Sequence, residues 1–299
     1  MDWVKSLRGA IEYMEDHILE DIGPEEMARA VNLSPFYLQK GFQIVTGYGL
    51  GEYLRNRRLY LAALDLLAGE EKVIDVAYKY CYQTPESFAK AFARFHGFPP
   101  SQAKKERVRV KPFLPLKVKI SIQGGDNVDY IVEKMDCFKV IGFAERIPME
   151  RGYELCPKFW DRVKERYFKA LWNGRPAQTD LERAIMECNI GMFGVCVESD
   201  ENPGFFTYLA AGRYDGRPVP EGLEVVDIPA ASWAKFRAVG PLPGALQSLN
   251  SQIFQEWLPG NKEYDLAFPI NIEFYTAGES GPDYESAIWL PVKEKSNEN

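Results

Sequence analysis

Ser34-Pro35-Phe36-Tyr37-Leu38-Gln39-Lys40-Gly41-Phe42, running on to Gly47, returns fifty residues later as Thr84-Pro85-Glu86-Ser87-Phe88-Ala89-Lys90-Ala91-Phe92, running on to Gly97. Both stretches obey one pattern: Ser or Thr, Pro, two residues, Leu or Phe, one residue, Lys, one residue, Phe, four residues, Gly. Each element has a physical reason. A Ser or Thr hydroxyl caps a helix, and Pro fits the next position because its missing N–H would be unpaired there anyway. Leu38, Phe42 and Val45, like Phe88, Phe92 and Phe95, recur at helical spacing and predict a buried stripe. Glycine suits the left-handed helix end.

Ahead of each copy lies a shorter helical pattern, Pro24 to Val31 and Val73 to Tyr80, joined to the cap by a tight turn. Helix, turn and second helix is the arrangement that places its second member in a DNA major groove. The expected outward positions of that second helix are Phe36, Gln39, Lys40 and Gln43 in copy one. In copy two they are Glu86, Ala89, Lys90 and Arg94, with Ser87 beside them. Gln, Lys and Arg carry donors that match purine edges or phosphates. Between the copies a long helical run, about Leu50 to Ala68, spans roughly 28 Å. Adjacent major grooves on one DNA face lie about 34 Å apart, so one chain can reach two of them.

The net charge of −7 first argues against nucleic acid, but distribution decides. Residues 1–107 hold 14 basic and 15 acidic residues, and the acids crowd into residues 2–26. The bases cluster later, at Arg55, Arg57 and Arg58 and again from Lys90 to Arg107. Segregated charge of this kind presents a basic face to phosphates. Arg57 and Arg58 have a second reading, because helix-surface arginines often pair with local acids. No stretch approaches the ~20 apolar residues of a membrane helix, and the N-terminus lacks an apolar secretory core. Five cysteines without CxxC spacing and only two histidines point to a cytoplasmic protein with no disulfide frame, metal site or cofactor.

On these motifs residues 1–107 resemble the AraC/XylS family of transcription regulators. The match extends through Thr46-Gly47-Tyr48-Gly49-Leu50 to Leu59, Ala62-Ala63-x-x-Leu66-Leu67, Ile74-x-Val76-Ala77 and Gly97-Phe98-Pro99-Pro100-Ser101. The resemblance implies two recognition helices, 35–45 and 85–95, in successive major grooves of double-stranded DNA. Cys81-Tyr82 stands where the family usually has Gly-Phe, and Pro85-Glu86 where polar amides are common.

Residues 108–127 read as a linker, with a short alternating strand at Val118, Ile120 and Ile122. From 128 to 294 the pattern runs strand, strand, helix, strand, strand, twice over. The first half places strands near 128–134 and 137–146, a helix near 156–172, and strands near 190–198 and 205–213. The second places strands near 223–227 and 231–239, a helix near 244–257, and strands near 268–276 and 284–292. The fold class is therefore an all-α tandem helix-turn-helix domain, then an α+β domain built from a duplicated ββαββ-like half with a central ligand cleft; 295–299 form a tail.

In Pro269-Ile270-Asn271-Ile272-Glu273-Phe274-Tyr275, alternation puts Ile270, Ile272 and Phe274 on one face and Glu273 with Tyr275 on the other. A carboxylate in an aromatic cleft attracts a lipophilic cation; a solvent-facing strand surface is the plainer reading. Tyr153, Trp160, Phe193, Tyr208 and Trp289 are the aromatic residues expected beside Glu273. Residues 126–294 resemble the gyrase-inhibitor-like effector-binding domain of multidrug-sensing regulators. The resemblance rests on Phe138-x-Val140-Ile141-Gly142, Pro157-x-Phe159-Trp160, Trp233-x-x-Phe236, Glu256-Trp257-Leu258-Pro259, Ile272-Glu273-Phe274-Tyr275 and Ile288-Trp289-Leu290-Pro291. It implies a ligand-facing acid at Glu273, while Ala287 replaces a second Glu found in many relatives. The domain order looks like that of Rob-type regulators. Two competing readings make this half a xenobiotic hydrolase with Glu273 as base, or a module that binds gyrase or RNA polymerase without a small ligand.

Overall fold

The computed structural model describes residues 2–69, 71–105, 108–118, 128–198 and 204–295, with the side chains of 104 and 105 left aside. The chain divides into two compact units, one holding the described residues up to 118 and the other those from 128 onward. The first part of the expected linker, 108–118, thus groups with the N-terminal unit, and Val118 lies outside any strand. Ile120 and Ile122 lie outside the described residues. Among the described residues no helix is long and apolar enough to cross a membrane.

The N-terminal unit is helical: α1 (Trp3–Asp16), α2 (Pro24–Ala30), α3 (Pro35–Thr46), α4 (Leu50–Ala68), α5 (Val73–Lys79), α6 (Pro85–His96) and α7 (Pro100–Lys105). The two repeat helices start and stop as their residues dictate. Ser34 Oγ accepts from Tyr37 N at 3.2 Å, and Thr84 Oγ1 accepts from Ser87 N at 3.1 Å. Each such cap is worth about 1 kcal/mol. Both helices end on left-handed glycines, Gly47 at φ 77° and Gly97 at φ 85°. Leu38, Phe42, Phe88 and Phe92 are wholly buried, as the stripe requires. Cys81, in the turn between α5 and α6, sits at φ 63°. An L-residue there carries a cost of roughly 1–2 kcal/mol that glycine avoids, which is the physical content of the family's preference for glycine at this turn.

The second unit is a sheet of β1 (Tyr130–Met135), β2 (Phe138–Pro148), β3 (Phe193–Glu198), β4 (Phe205–Arg213), β5 (Glu224–Ile228), β6 (Ala231–Val239), β7 (Tyr264–Leu266), β8 (Ile270–Tyr275) and β9 (Glu285–Glu294). Helix α8 (Gly152–Val163) continues through a π segment into α9 (Lys169–Trp172), and α10 (Asp180–Glu187) precedes β3. Helix α11 (Gly244–Gln252) likewise passes through a π segment into α12 (Leu258–Gly260). The order of the main strands is β1-β6-β9-β8-β3-β4-β2-β5, with β7 on β9.

The duplicated halves are present, but their leading strands are exchanged. Strand β1 pairs with β6 of the other half, and β5 with β2. The two pairings share one unbroken register, from Tyr130 opposite Phe236 to Met135 opposite Ala231, then Phe138 opposite Ile228 to Gly142 opposite Glu224. The sheet therefore curls until its ends meet. Inside the curl Phe138, Val140, Phe193, Ile228, Trp233 and Ile272 form one apolar cluster. On the outer face α8 packs on β2 and β4, and α11 on β6 and β9. The central β3–β8 pair, with Gly194 opposite Glu273, lies between those helix-bearing regions.

Candidate DNA-contacting helices and effector cleft

In the second repeat Glu86, Ser87, Lys90 and Arg94 are exposed on α6, as expected, while Ala89 is half-buried. The Ser87 hydroxyl donates to Thr84 O at 2.8 Å and so is already engaged in the cap. The first repeat differs. Lys40 and Gln43 are half-buried, whereas Phe36 and Gln39 are only 1% and 8% exposed. An aromatic ring at an outer helix position gains by being covered. Phe36 packs edge-on against Tyr37, and the Lys40 ammonium sits 5.6 Å from the Phe36 ring centre. The outward placement expected for Phe36 and Gln39 is thus replaced by burial.

Arg55 is exposed on α4, whereas Arg57 is buried and engaged within the unit. It is 4% exposed, and its Nε and Nη2 grip the Glu15 carboxylate of α1, both at 2.7 Å. Tyr53 Oη donates to the same carboxylate at 2.6 Å. Burial raises the Glu15 carboxyl, and the Arg57 and Tyr53 hydrogen bonds more than reverse this, leaving it below its ordinary range. Burial, reinforced by the Glu15 bond and charge, pushes the Tyr53 hydroxyl up. Arg58 donates from Nε to Ile18 O at 2.9 Å and from Nη2 to Glu20 O, closing the stretch after α1. Both arginines are thus engaged within the unit, though not with helix-neighbouring acids: Arg57 reaches a carboxylate and Arg58 two backbone carbonyls about 40 residues away in the chain.

At the effector domain, alternation along β8 holds: Glu273 and Tyr275 share the outer face, opposite Ile272 and Phe274. Tyr208 of β4 lies on that same face, opposite Cys196 of β3. Tyr208 Oη donates to Glu273 Oε2 at 2.5 Å, and Tyr275 Oη to the same oxygen at 2.8 Å. Trp160 Nε1 of α8 donates to Tyr208 Oη at 2.7 Å, and the Trp160 ring stands edge-on to Tyr275. Burial first, and the Glu273 charge second, push both phenols well above their ordinary range, so they remain donors at neutral pH. Glu273 Oε1 takes no hydrogen bond, and no Lys or Arg pairs with Glu273, among the described residues.

Tyr153 also stands at this site. Its hydroxyl accepts from Asn250 Nδ2 of α11 at 2.6 Å, tying the two helices together, and burial with the Glu273 charge raises it to about 12. Phe193 and Trp289 do not line the site. Phe193 pairs with Phe274, and Trp289 with Ile272, so both point to the inner face, where their rings meet 5.8 Å apart. The one-residue alternation of a strand puts them behind the carboxylate. Ala287, opposite Phe274, is on that inner face too.

Two residues of the site went unread in the sequence. Gly194 faces Glu273, and a Cβ there would lie 2.6 Å from Glu273 Oε2 and 2.6 Å from Tyr208 Oη. A lone glycine inside a strand is a signal of such close approach. Asn250 is a polar residue among Leu246, Leu249 and Ile253 on the buried face of its helix.

Residues 131–292 match the integron-associated effector binding protein family, and residues 27–106 match a helix-turn-helix domain family. The regulatory protein SoxS of Salmonella typhimurium is 37% identical over 84 residues, 28% of this chain and 78% of that protein. The chain belongs to the AraC-type DNA-binding transcription regulators, with an effector-binding domain. The regulator is also similar to the right origin-binding protein of Escherichia coli, at 29% identity over 94 residues, 31% of this chain and 32% of that protein. Among solved structures, that of SAV2435 bound to tetraphenylphosphonium aligns with a TM-score of 0.43 and 17% identity, covering 55% of the regulator and 94% of that chain.

Proposed function

We propose that the regulator senses apolar cations, which seat against Glu273 and alter its affinity for promoter DNA. The observation that carries this reading is the carboxylate itself. Glu273 is held by two phenols on one oxygen, has a second oxygen without a hydrogen bond, and lacks a basic partner among the described residues. Glu273 is half-buried, and a partly desolvated carboxylate favours a nearby counter-charge. A lipophilic cation supplies it, and the half-buried ring of Tyr275 beside Glu273 adds cation–π attraction of about 0.5–2 kcal/mol. The hydrolase reading has less support, since both histidines, His17 and His96, belong to the N-terminal unit.

Titrating the full chain with tetraphenylphosphonium, followed by tryptophan fluorescence, tests the reading. Glu273→Gln is expected to weaken binding about tenfold, or about 1.4 kcal/mol. Equal affinity of the two proteins would remove Glu273 from the seat. For the ligand to act on transcription it must bind two states of the protein unequally, so operator affinity measured with saturating cation should differ from that without it.

For DNA, Lys90 and Arg94 of α6, with Lys40 and Gln43 of α3 and Arg55, are the proposed contacts. Lys90→Ala is expected to weaken operator binding about tenfold and to lower the slope of log affinity against log salt by about one. Anisotropy titrations across salt concentrations measure both; an unchanged slope would exclude a phosphate contact at Lys90.

A further inference from the structure

We propose that residues 108–118 form a brace that fixes the separation of the two recognition helices and so sets the half-site spacing the regulator accepts. The proposal rests on the reading that α3 and α6 enter successive major grooves. Its evidence is the way one short segment touches the ends of both. The Phe113 ring centre lies 5.3 Å from Tyr48 and 5.8 Å from Tyr53 on the first-repeat side, and 6.1 Å from Phe95 on the second. Tyr48 directly follows Gly47, the cap of α3, and Phe95 is in the last turn of α6. A single ring is thereby wedged between the C-terminal ends of the two recognition helices.

The backbone around that ring is tied down on three helices. Phe113 O accepts from Arg57 Nη1 of α4. Lys111 N donates to His96 Nδ1 of α6 at 3.2 Å, which leaves His96 Nε2 as the donor to Leu59 O at 3.0 Å. The Lys111 ammonium stands 4.8 Å from the Phe95 ring centre. Arg8 of α1 donates from Nε and Nη2 to Val118 O at 3.3 and 3.2 Å. Val108 and Val110 pack on the core of the second repeat. The family match to the helix-turn-helix domain ends at residue 106, so the brace lies beyond it.

Helix α4 holds the two motifs at a distance and is itself tied at its middle to α1 and the stretch after it by Arg57 and Arg58. The segment from α1 across α4 to α6 adds a second link, which opposes twisting between the motifs. One inserted base pair moves a half-site by about 3.4 Å and turns it by about 35°. A braced protein cannot follow such a shift without breaking its grip on Phe113.

The experiment uses the full chain, an operator selected from random DNA, and copies of it with one base pair added or removed between the half-sites. The wild-type protein is expected to lose about tenfold or more on each altered spacing. Phe113→Ala is expected to bind the original operator within about threefold of wild type, yet to lose only about threefold on the altered ones, with Phe113→Leu restoring most of the penalty. A Phe113→Ala protein that keeps the full spacing penalty, or weakens equally on every spacing, overturns the brace. Should thermal unfolding show that Phe113→Ala is not folded, Lys111→Pro, which removes the donor to His96, is judged by the same criterion. A wild-type protein indifferent to spacing overturns the two-groove reading itself, a result distinct from retention of the penalty by the variants.

Discussion

Gly194→Ala is expected to reduce tetraphenylphosphonium binding about a hundredfold, or about 2.7 kcal/mol, with a loss of stability of about 1–3 kcal/mol from overpacking. The added methyl group would sit 2.6 Å from both Glu273 Oε2 and Tyr208 Oη. Neither atom can give way cheaply. Tyr208 is held by Trp160 and is wholly buried, and Glu273 is held by two phenols. The carboxylate or the phenol must leave its place, and the proposed seat for the cation is disrupted with it. Isothermal titration of the variant, with far-ultraviolet circular dichroism to establish that it is folded, measures the effect. A folded variant that binds the cation as the wild type does would locate the ligand elsewhere.

Arg57→Ala is expected to destabilise the N-terminal unit by about 3 kcal/mol, because it leaves the Glu15 carboxylate and Phe113 O facing a gap. Hydrogen-exchange protection of α4 reports the opening free energy of that unit without requiring the whole chain to unfold in one step. Removing both charges, in Glu15→Leu/Arg57→Met, is expected to recover most of the loss, since an apolar pair leaves no stranded charge. Unchanged protection in Arg57→Ala would show the ion pair to be idle. A surface arginine that met phosphate would give a different pattern: unaltered protection and a salt slope lower by about one.

That contrast shows where reading the chain alone reaches its end. The tandem repeat was legible because both copies carry the cap, the stripe and the closing glycine, each a local requirement of a helix. Glu273 and Tyr275 were legible because alternation is local too. Arg57 was not, since its partner Glu15 is 42 residues away and no local rule pairs them. Phe36 and Gln39 failed for a related reason: helical spacing says which residues share a face, but not what covers it. Phe193 and Trp289 were placed by aromatic character, whereas their strands are apolar on both faces and give no clear alternation. Helix α10 and the three-residue β7 are too short to rise above their surroundings. The strand exchange was hidden because sequence neighbours such as β1 and β2 are expected to pair with each other, and here each pairs across the duplication.

The exchanged border strands also bear on how the effector domain can be taken apart. Each half of the duplication finishes the sheet of the other, as two subunits do when they trade an arm and are then fused into one polypeptide. A cut in the connection after β4 would strip both fragments of a neighbour, leaving β2 and β6 with bare edges. Neither half of the domain therefore holds a complete sheet of its own, despite the twofold pattern.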